Sequence, residues 1–287
     1  MKYDSNFQRI TDALLYVNRN MKDELSWDEV AGHVDLSRMD FYRMFFNWSD
    51  ATPDEFIRYL HPNNIKKKLK VNHFSMAEGE SEDVIFEDSF ADRNQPCHFI
   101  KIDRMTPDEY ENGGENLQVF YDFYNSIFGR IFIASTPKGI CRMEFVDDDT
   151  VCINNLRSVF PNALYCRIGD EHQYRAMRVL QKNVQHIDVI TLHLKGTDFQ
   201  LGVWEALLQI PMGEVVSYEG ISNQIQNSKA VRAVGTAVGD NPICLFIPCH
   251  RVVLSTGELG QYRWGVAHKM AIVGWEFANT NKKEGIF

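Results

Sequence analysis

The spacing of apolar residues in the first quarter of the chain predicts helices over residues 4–73. In the stretch LSWDEVAGHVDLSRMDFYRMFF, Ser26 and Glu29 have the spacing of a capping box that starts a helix. A second helix is predicted to start at Ser37, with Asp35 in the turn between the two. This is a helix-turn-helix pattern, and any small helical hairpin shares it, so both interpretations stay open. In both, the buried positions are Ala31, Val34, Phe41 and Phe45.

Beyond Gly113 and Gly114, which are expected to form a hinge, the pattern changes to strands. Apolar and polar residues alternate from Leu117 onwards, and the turn sequence TPKG (136–139) separates two of the strands. The apolar run ICLFIPCHRVV is predicted to be a buried strand. Further helices are predicted at 150–160, 171–186 and 198–210, the last with Asp198 as its N-cap. The chain is therefore expected to be multidomain, with an all-α part at 1–112, a part with a sheet and helices at 113–196, and a mainly helical part at 197–287.

Composition and charge narrow the class of protein. With 44% hydrophobic and 24% charged residues in 287, the chain has the composition of an ordinary globular protein. No apolar run approaches the roughly 18–20 residues of a membrane span, and the start lacks a secretion signal, so we expect a cytoplasmic protein with no membrane partner. The net charge is −9, and residues 1–112 hold 14 Lys+Arg against 22 Asp+Glu, or −8. Because attraction to phosphates grows with the number of neutralising cations, this argues against strong nonspecific DNA binding by that part.

The cysteines point to chemistry at one position. Six are present, with no CxxC pair and no Cys/His cluster at metal-ligand spacing, so we expect reduced thiols, no metal and no cofactor. The triplet Pro-Cys-His occurs twice, around Cys97 and around Cys249. Cys97 follows the polar stretch FADRNQ and has no asparagine eight positions upstream, so it is interpreted as an incidental thiol.

Cys249 is the candidate for a reactive thiol. A thiol that accepts an alkyl group must ionise, and because the pKa of a free cysteine is about 8.5, it needs a base or a positive neighbour. His250 is adjacent, but neighbours on a strand point to opposite faces, so a bridging water or a third group that orients the imidazole is expected. Glu276, in the final helix AHKMAIVGWEF, is the candidate for that group. From the residues alone, a small buried hydrophobe remains the alternative for Cys249.

The segments VWEALLQIPMGEVVSYEGIS, KAVRAVGTAVGDNP, IPCHRVV and GQYRWGVAHK resemble the catalytic domain of the O6-alkylguanine-DNA alkyltransferases, from Phe199 to Glu276. A weaker resemblance continues upstream through GGENL and GICRMEFVDDD. The resemblance implies a β-sheet/α subdomain at 113–196 and a catalytic, DNA-binding domain with a winged helix-turn-helix at 197–287. It also implies irreversible, stoichiometric transfer of a methyl or larger alkyl group from O6-alkylguanine, or O4-alkylthymine, in double-stranded DNA to Cys249, without a cofactor.

The resemblance assigns the catalytic roles residue by residue. Cys249 is the acceptor thiolate, His250 the base that activates it through water, and Glu276 the carboxylate that orients His250. Asn241 holds the turn before Cys249, and a plain Asn-Pro turn residue is its alternative. A thioether on Cys249 is not cleaved by water, so turnover is expected to stop at one. This separates the hypothesis from a Cys-His hydrolase, whose thioester recycles.

The same resemblance assigns DNA and pocket contacts. Tyr218 presses on the phosphate 3′ to the target, and Arg232 enters the space that the flipped base vacates. The helix AVRAVGTAVG supports this independently, because its small residues allow close approach to a groove and it carries a single long cation. An amphipathic core helix with one snorkelling Arg is the alternative. Tyr262 closes the pocket over the base, with backbone groups near Val252 and Arg263 at its edges.

The sequence departs from the family's usual pattern at a position that is expected to affect the size of the alkyl group accepted. Many members of the family have two small residues after the pocket tyrosine, whereas Arg263 and Trp264 follow Tyr262 here. We expect Trp264 to narrow the pocket and favour methyl over benzyl adducts. Comparing the inactivation rates caused by O6-methylguanine and O6-benzylguanine tests this.

The N-terminal part resembles the first helix-turn-helix of the AraC-type regulators. Arg43 and Phe45 lie in that family's positions, and ATPDEF (51–56) matches its turn into the next helix. Residues 83–110 take the place of the second helix-turn-helix, and this copy is degenerate because Pro96 interrupts its reading helix. The chain is thus most like members of the alkyltransferase family that combine both units, without their N-terminal zinc domain.

This combination leaves the role of residues 1–112 open. Arg38, Arg43 and the KKKLK run (66–70) favour contact with promoter DNA, although KKKLK is also interpretable as a solvated face. The leading hypothesis is a monomeric DNA repair alkyltransferase with a regulatory N-terminal unit. The alternative is primarily a DNA-binding transcription regulator that senses alkylation. A protein that recognises alkylated DNA without transfer is a third option, against which the intact Cys249 argues.

Overall fold

The computed structural model describes residues 5–20, 26–69, 99–181 and 189–281. Cys97, which was predicted to be an incidental thiol, lies outside the described residues. So do residues 83–98, which are most of the predicted second helix-turn-helix. No helix in the described ranges combines the length and the apolar character needed to cross a membrane.

The first described part is helical, as predicted. Its helices are α1 (Asn6–Arg19), α2 (Trp27–His33), α3 (Arg38–Ser49), α4 (Pro53–Leu60) and α5 (Pro62–Lys68). The capping box of Ser26 and Glu29 is confirmed, and the Ser37 hydroxyl caps α3 by accepting from the Asp40 N–H. The turn between α2 and α3 is tight because Asp35 takes a left-handed φ of 57°. Phe41 and Phe45 are buried, as the spacing of apolar residues predicted.

The middle of the chain forms a mixed sheet covered by helices. Its strands are β1 (Ile100–Arg104), β2 (Gln118–Ser126), β3 (Gly129–Thr136), β4 (Gly139–Phe145), β5 (Leu164–Arg167) and β6 (Ile190–Leu194), in the spatial order β1-β6-β4-β3-β2-β5. The helices here are α6 (Pro107–Tyr110), α7 (Asp149–Val159) and α8 (Glu171–Leu180). The prediction that 83–110 form a helix-turn-helix is wrong for Ile100–Arg104, because this segment pairs in parallel with β6. The sheet therefore starts upstream of the predicted boundary at 112.

The last part is mainly helical. Its elements are α9 (Asp198–Leu208), β7 (Val216–Ser217), α10 (Tyr218–Gln224), α11 (Val231–Gly239), β8 (Val252–Val253) and α12 (Val266–Asn281). The N-cap of α9 is Thr197 instead of the predicted Asp198, because the Thr197 hydroxyl accepts from the Gln200 N–H. The predicted strand ICLFIPCHRVV is wrong over most of its length. Leu245 has a left-handed φ of 64° and Pro248 has no N–H to donate, so only Val252 and Val253 pair as a strand.

The helical unit α1–α5 packs against α12, the last described helix. The Trp275 indole N–H donates to the Trp48 carbonyl at 3.1 Å, and the Asn279 amide donates to the Ser49 carbonyl at 3.2 Å. Gly274 lies against the ring of Phe56 so closely that a β-carbon built at Gly274 would overlap the ring. The helical unit and the C-terminal part therefore share one apolar core.

Gly274→Ala is expected to destabilise the protein by about 1–3 kcal/mol, because the added methyl overpacks the contact with Phe56. Gly202→Ala is the matched control, since a β-carbon at Gly202 in α9 has no neighbour within 4 Å. Alanine there should be neutral or stabilise by about 0.5–1 kcal/mol through helix propensity. Urea unfolding of both variants measures the difference. Equal stability of the two variants would contradict the close packing at Gly274.

Candidate active site

Cys249 lies at the start of one 3-10 turn, Cys249–Arg251, which leads into β8. Its thiol is buried, with 3% of the residue exposed. The side chain of Asn241 organises the backbone before it: its Nδ2 lies 2.9 Å from the carbonyls of both Ile243 and Ile247, and its Oδ1 accepts from the Ile243 N–H at 2.9 Å. The same Nδ2 lies 3.0 Å from the sulfur of Cys249. Asn241 thus fixes the turn and points a donor at the thiol.

A buried ion-pair network lies behind the thiol. The Nε2 of His250 lies 3.1 Å from Oε1 of Glu276. The guanidinium of Arg251 binds the same carboxylate, with its Nη2 2.8 Å from Oε1 and its Nε 3.0 Å from Oε2. Since a carboxylate accepts, Nε2 of His250 carries the proton and Nδ1 keeps its lone pair. That Nδ1 is buried and has no hydrogen-bond partner in the described parts of the chain.

The charges in this network are fixed by its surroundings. Burial raises the pKa of Glu276, but the charges of Arg251 and His250 outweigh burial and lower it to about 2. Burial lowers the pKa of His250, against the raising effect of Glu276. At neutral pH the site therefore holds an ionised Glu276 and a neutral His250, which can take up a proton at Nδ1.

Lys269, which sequence reasoning missed, also faces the thiol. The residue is buried, with 1% of its surface exposed. Its ammonium donates to the carbonyl of Val252 at 2.7 Å and to that of Gln261 at 3.3 Å. Burial lowers the pKa of Lys269 to about 8, against the influence of Cys249. Burial also raises the pKa of Cys249, while Asn241 and the charge of Lys269 lower it. The signal in the sequence was a lysine within the apolar run AHKMAIVGWEF, where an unpaired cation is costly.

Of the predicted pocket residues, Tyr262 lies beside the thiol. The hydroxyl of Tyr262 is buried beside Cys249. Its pKa is raised well above the usual value, mainly by burial and further by the thiols of Cys249 and Cys244. The ring of Trp264 packs edge-on against Tyr262, with centroids 5.2 Å apart, and against Phe145 at 6.0 Å. Val252 is fully buried, and its carbonyl is taken by Lys269.

Arg263 points away from the sulfur towards the sheet. Its Nη2 lies 3.7 Å from the carboxylate of Glu144 on β4, and its Nη1 lies 3.5 Å from the carbonyl of Gly239 at the end of α11. Glu144 is buried and also bonded by Arg142. The loop that carries Tyr262 is therefore tied to both the sheet and α11.

The predicted DNA-contacting residues fall into two groups. Tyr218 starts α10 and lies close enough to Cys249 that burial and the thiol together raise its pKa. Arg232 is the second residue of α11 and is exposed. Arg38 and Arg43 lie instead on α3 of the helical unit, exposed and beside acids, with Arg38 3.4 Å from Asp28 and Arg43 4.0 Å from Asp40. The structure does not bring the two arginines of α3 to the thiol.

Comparisons with known proteins identify the family of this chain. A family model described as the DNA binding domain of 6-O-methylguanine DNA methyltransferase matches residues 198–278, and one described as its ribonuclease-like domain matches residues 119–188. The inducible methylated-DNA–protein-cysteine methyltransferase of Bacillus subtilis is 37% identical over 151 residues, covering 50% of this chain and 83% of that protein. The chain belongs to the 6-O-methylguanine DNA methyltransferase family.

Within this family the chain is similar to a two-function member over nearly its whole length. The bifunctional transcriptional activator/DNA repair enzyme Ada of Escherichia coli is 32% identical over 283 residues, which are 96% of this chain and 77% of that protein. The regulatory protein ada of Salmonella typhimurium is 32% identical over 249 residues, 85% of this chain and 68% of that protein. A crystal structure of the Mycobacterium tuberculosis OGT in complex with DNA covers 55% of this chain and 93% of that chain, at 31% identity and a TM-score of 0.46.

Proposed function

We propose that the protein repairs double-stranded DNA by transferring a methyl or larger alkyl group from O6-alkylguanine, or O4-alkylthymine, irreversibly to Cys249. The observation that carries the proposal is the buried thiol with the Asn241 amide 3.0 Å from its sulfur and the charge of Lys269 lowering its pKa. A cysteine that was only a core residue would need neither polar partner. Appearance of one methyl group on the Cys249 peptide, after incubation with duplex bearing O6-methylguanine, tests the proposal.

The geometry supports a division of labour among the side chains. The thiol of Cys249 gives its proton, through a bridging water, to Nδ1 of His250, whose Nε2–H is held by Glu276. The imidazolium that forms is stabilised by that carboxylate. Lys269 and Asn241 stabilise the thiolate, which is unfavourable in a buried site without them. Arg251 keeps Glu276 ionised and fixes its orientation.

The transfer step exchanges one bond for another. The sulfur of Cys249 forms a bond to the alkyl carbon as the bond from that carbon to O6 breaks, and the bonding pair stays on guanine. The proton that His250 took from the thiol then passes to the guanine anion, so the products are an S-alkylcysteine, neutral guanine and a neutral His250. Because water does not cleave a thioether, each chain reacts once.

DNA binding must deliver an extruded nucleotide to this buried thiol, since O6 is stacked inside the duplex. We assign this to α10 and α11, which with β7 and β8 have the arrangement of a winged helix-turn-helix. Tyr218, next to Cys249, suits the phosphate beside the target, and the exposed Arg232 suits the space that the base leaves. Tyr262 and Trp264 would then cover the base, and Trp264 would restrict the size of the adduct.

We infer a second function, transcription regulation by the helical unit, from the turn between α2 and α3. We interpret α2 and α3, two capped helices joined by this turn, as an AraC-like helix-turn-helix, and α3 exposes Arg38 and Arg43. The full chain should bind a promoter duplex at least tenfold more tightly than a random duplex of equal length, because specific binding exceeds nonspecific binding by orders of magnitude. Titration at fixed salt measures this, and equal affinities would remove the regulatory function.

A further inference from the structure

The basic group at the end of α5 belongs to the KKKLK run, which the sequence analysis connected with promoter DNA but which has no role in the repair reaction proposed above. Lys66, Lys67 and Lys68 form the last turn of this helix. The ammonium of Lys68 lies 4.6 Å above the ring of Phe277, so it is engaged with α12. Lys66 and Lys67 are exposed, and neither makes an ion pair with another residue of the described ranges. Two uncompensated cations on a unit with a net negative charge need an explanation.

The backbone places this group beside the DNA-reading helices. Leu69, the residue after Lys68, forms a parallel bridge with Val215. Val215 leads directly into β7, whose Ser217 caps α10 at Tyr218. The basic turn of α5 is therefore anchored at the strand that ends at the proposed phosphate contact.

A second contact anchors α5 to the loop between β8 and Tyr262. Gly257 in this loop has a φ of +91°, and a β-carbon built there would overlap the carbonyl oxygen of Pro62 and lie 3.1 Å from Cβ of Lys66. Only glycine allows α5 to come this close. The acid of this loop, Glu258, accepts from the Thr256 hydroxyl at 3.2 Å. The stem of Lys66 thus lies across the loop that connects the reactive turn to the pocket.

We propose that Lys66 and Lys67 bind phosphates of the DNA outside the extruded nucleotide, as an extension of the surface formed by α10, α11 and the 254–261 loop. The proposal rests on the proposed repair function, which brings a duplex to this surface. Flexible ammonium groups bind phosphates as point charges and release counterions from the duplex. The net charge of −9 makes each local cation more important for keeping the duplex on the protein.

The test is the salt dependence of binding by the full chain. A Lys66→Gln/Lys67→Gln variant keeps the first two methylenes of each side chain and loses two charges. The matched control, Lys101→Gln/Lys195→Gln, loses two exposed charges at the β1–β6 side of the sheet. The probe is a methylated duplex with a Cys249→Ser background, so that binding is measured without transfer. We expect affinity about tenfold weaker at low salt and a plot of log K against log salt shallower by about 1 to 2, since each phosphate contact contributes about 0.9 to the slope.

The outcomes separate this inference from the proposed function. A shallower slope for the α5 variant alone, with an unchanged melting temperature, supports the phosphate contacts. An unchanged slope, or the same loss in the control pair, overturns them. With Cys249 intact, the Lys101→Gln/Lys195→Gln control should methylate Cys249 as the unmutated chain does, because neither lysine belongs to the proposed DNA surface. Absence of methylation in the unmutated chain would instead overturn the repair function itself.

Discussion

Replacing Cys249 with alanine is expected to abolish methyl transfer, because the variant lacks the thiol whose ionised form Asn241 and Lys269 stabilise. In the unmutated protein, transfer should stop at one methyl group per chain, since a thioether resists hydrolysis. The measurement is peptide mass analysis after incubation with excess duplex bearing O6-methylguanine. The peptides containing Cys249 and Cys97 are compared directly, because both follow a proline and precede a histidine.

Cys244→Ala is the control for this experiment. Cys244 is also buried in the same segment, and burial raises its pKa well above the usual value, so it should not react. This variant should still transfer one methyl group. Methylation by the Cys249→Ala protein, or repeated cycles by the unmutated protein, would contradict the proposed chemistry.

Glu276→Gln is expected to slow transfer by about 10² to 10⁴-fold, the range attributed to general base catalysis. The amide keeps the shape of the carboxylate but removes the charge that orients and stabilises the imidazole of His250. It also leaves Arg251 buried without its anion, which destabilises the fold by about 3–5 kcal/mol. Single-turnover rates and urea unfolding measure the two effects. Glu205→Gln is the control, since that carboxylate pairs with Arg104 at the surface.

The same carboxylate makes the free energy of unfolding of the unmutated protein decrease in acid. The pKa of Glu276 falls from 4.5 to about 2 on folding, so the folded state binds fewer protons than the unfolded state in that interval. The stabilisation from Glu276 is present above pH 4.5 and is lost as the pH falls towards 2. The stability difference between the unmutated protein and Glu276→Gln should therefore shrink across this window. A constant difference would show that folding does not shift the pKa of Glu276.

Local patterns predicted the helical unit and the central strands well, and failed where distant residues determine the structure. Ser26 and Ser37 cap helices through bonds within their own first turn, which the sequence displays. Ile100–Arg104 became a strand because it pairs with β6, some ninety residues away along the chain, which no local pattern shows. The apolar run before Cys249 is a turn because the side chain of Asn241 takes two of its backbone carbonyls.

The candidate site shows the same limit. Cys249, His250 and Glu276 were candidates from the residues themselves, and the family resemblance added Asn241. The structure pairs Asn241 with Cys249 and Glu276 with His250. Lys269 and Arg251 were missed because their importance depends on burial, which apolar neighbours in the sequence only suggest. The expected opposition of Cys249 and His250 across a strand does not apply, since the 3-10 turn places them on a tighter backbone.

The contact between Phe56 and Gly274 has a consequence for how such a chain can diverge. Gly274 is two residues from Glu276 on the same helix, so a larger residue there displaces either the helical unit or the helix that carries the carboxylate. A change at one of these two positions is tolerated only with a compensating change at the other. Exchange of α4 or of α12 with that of a distant relative is therefore expected to disturb the helix left in place.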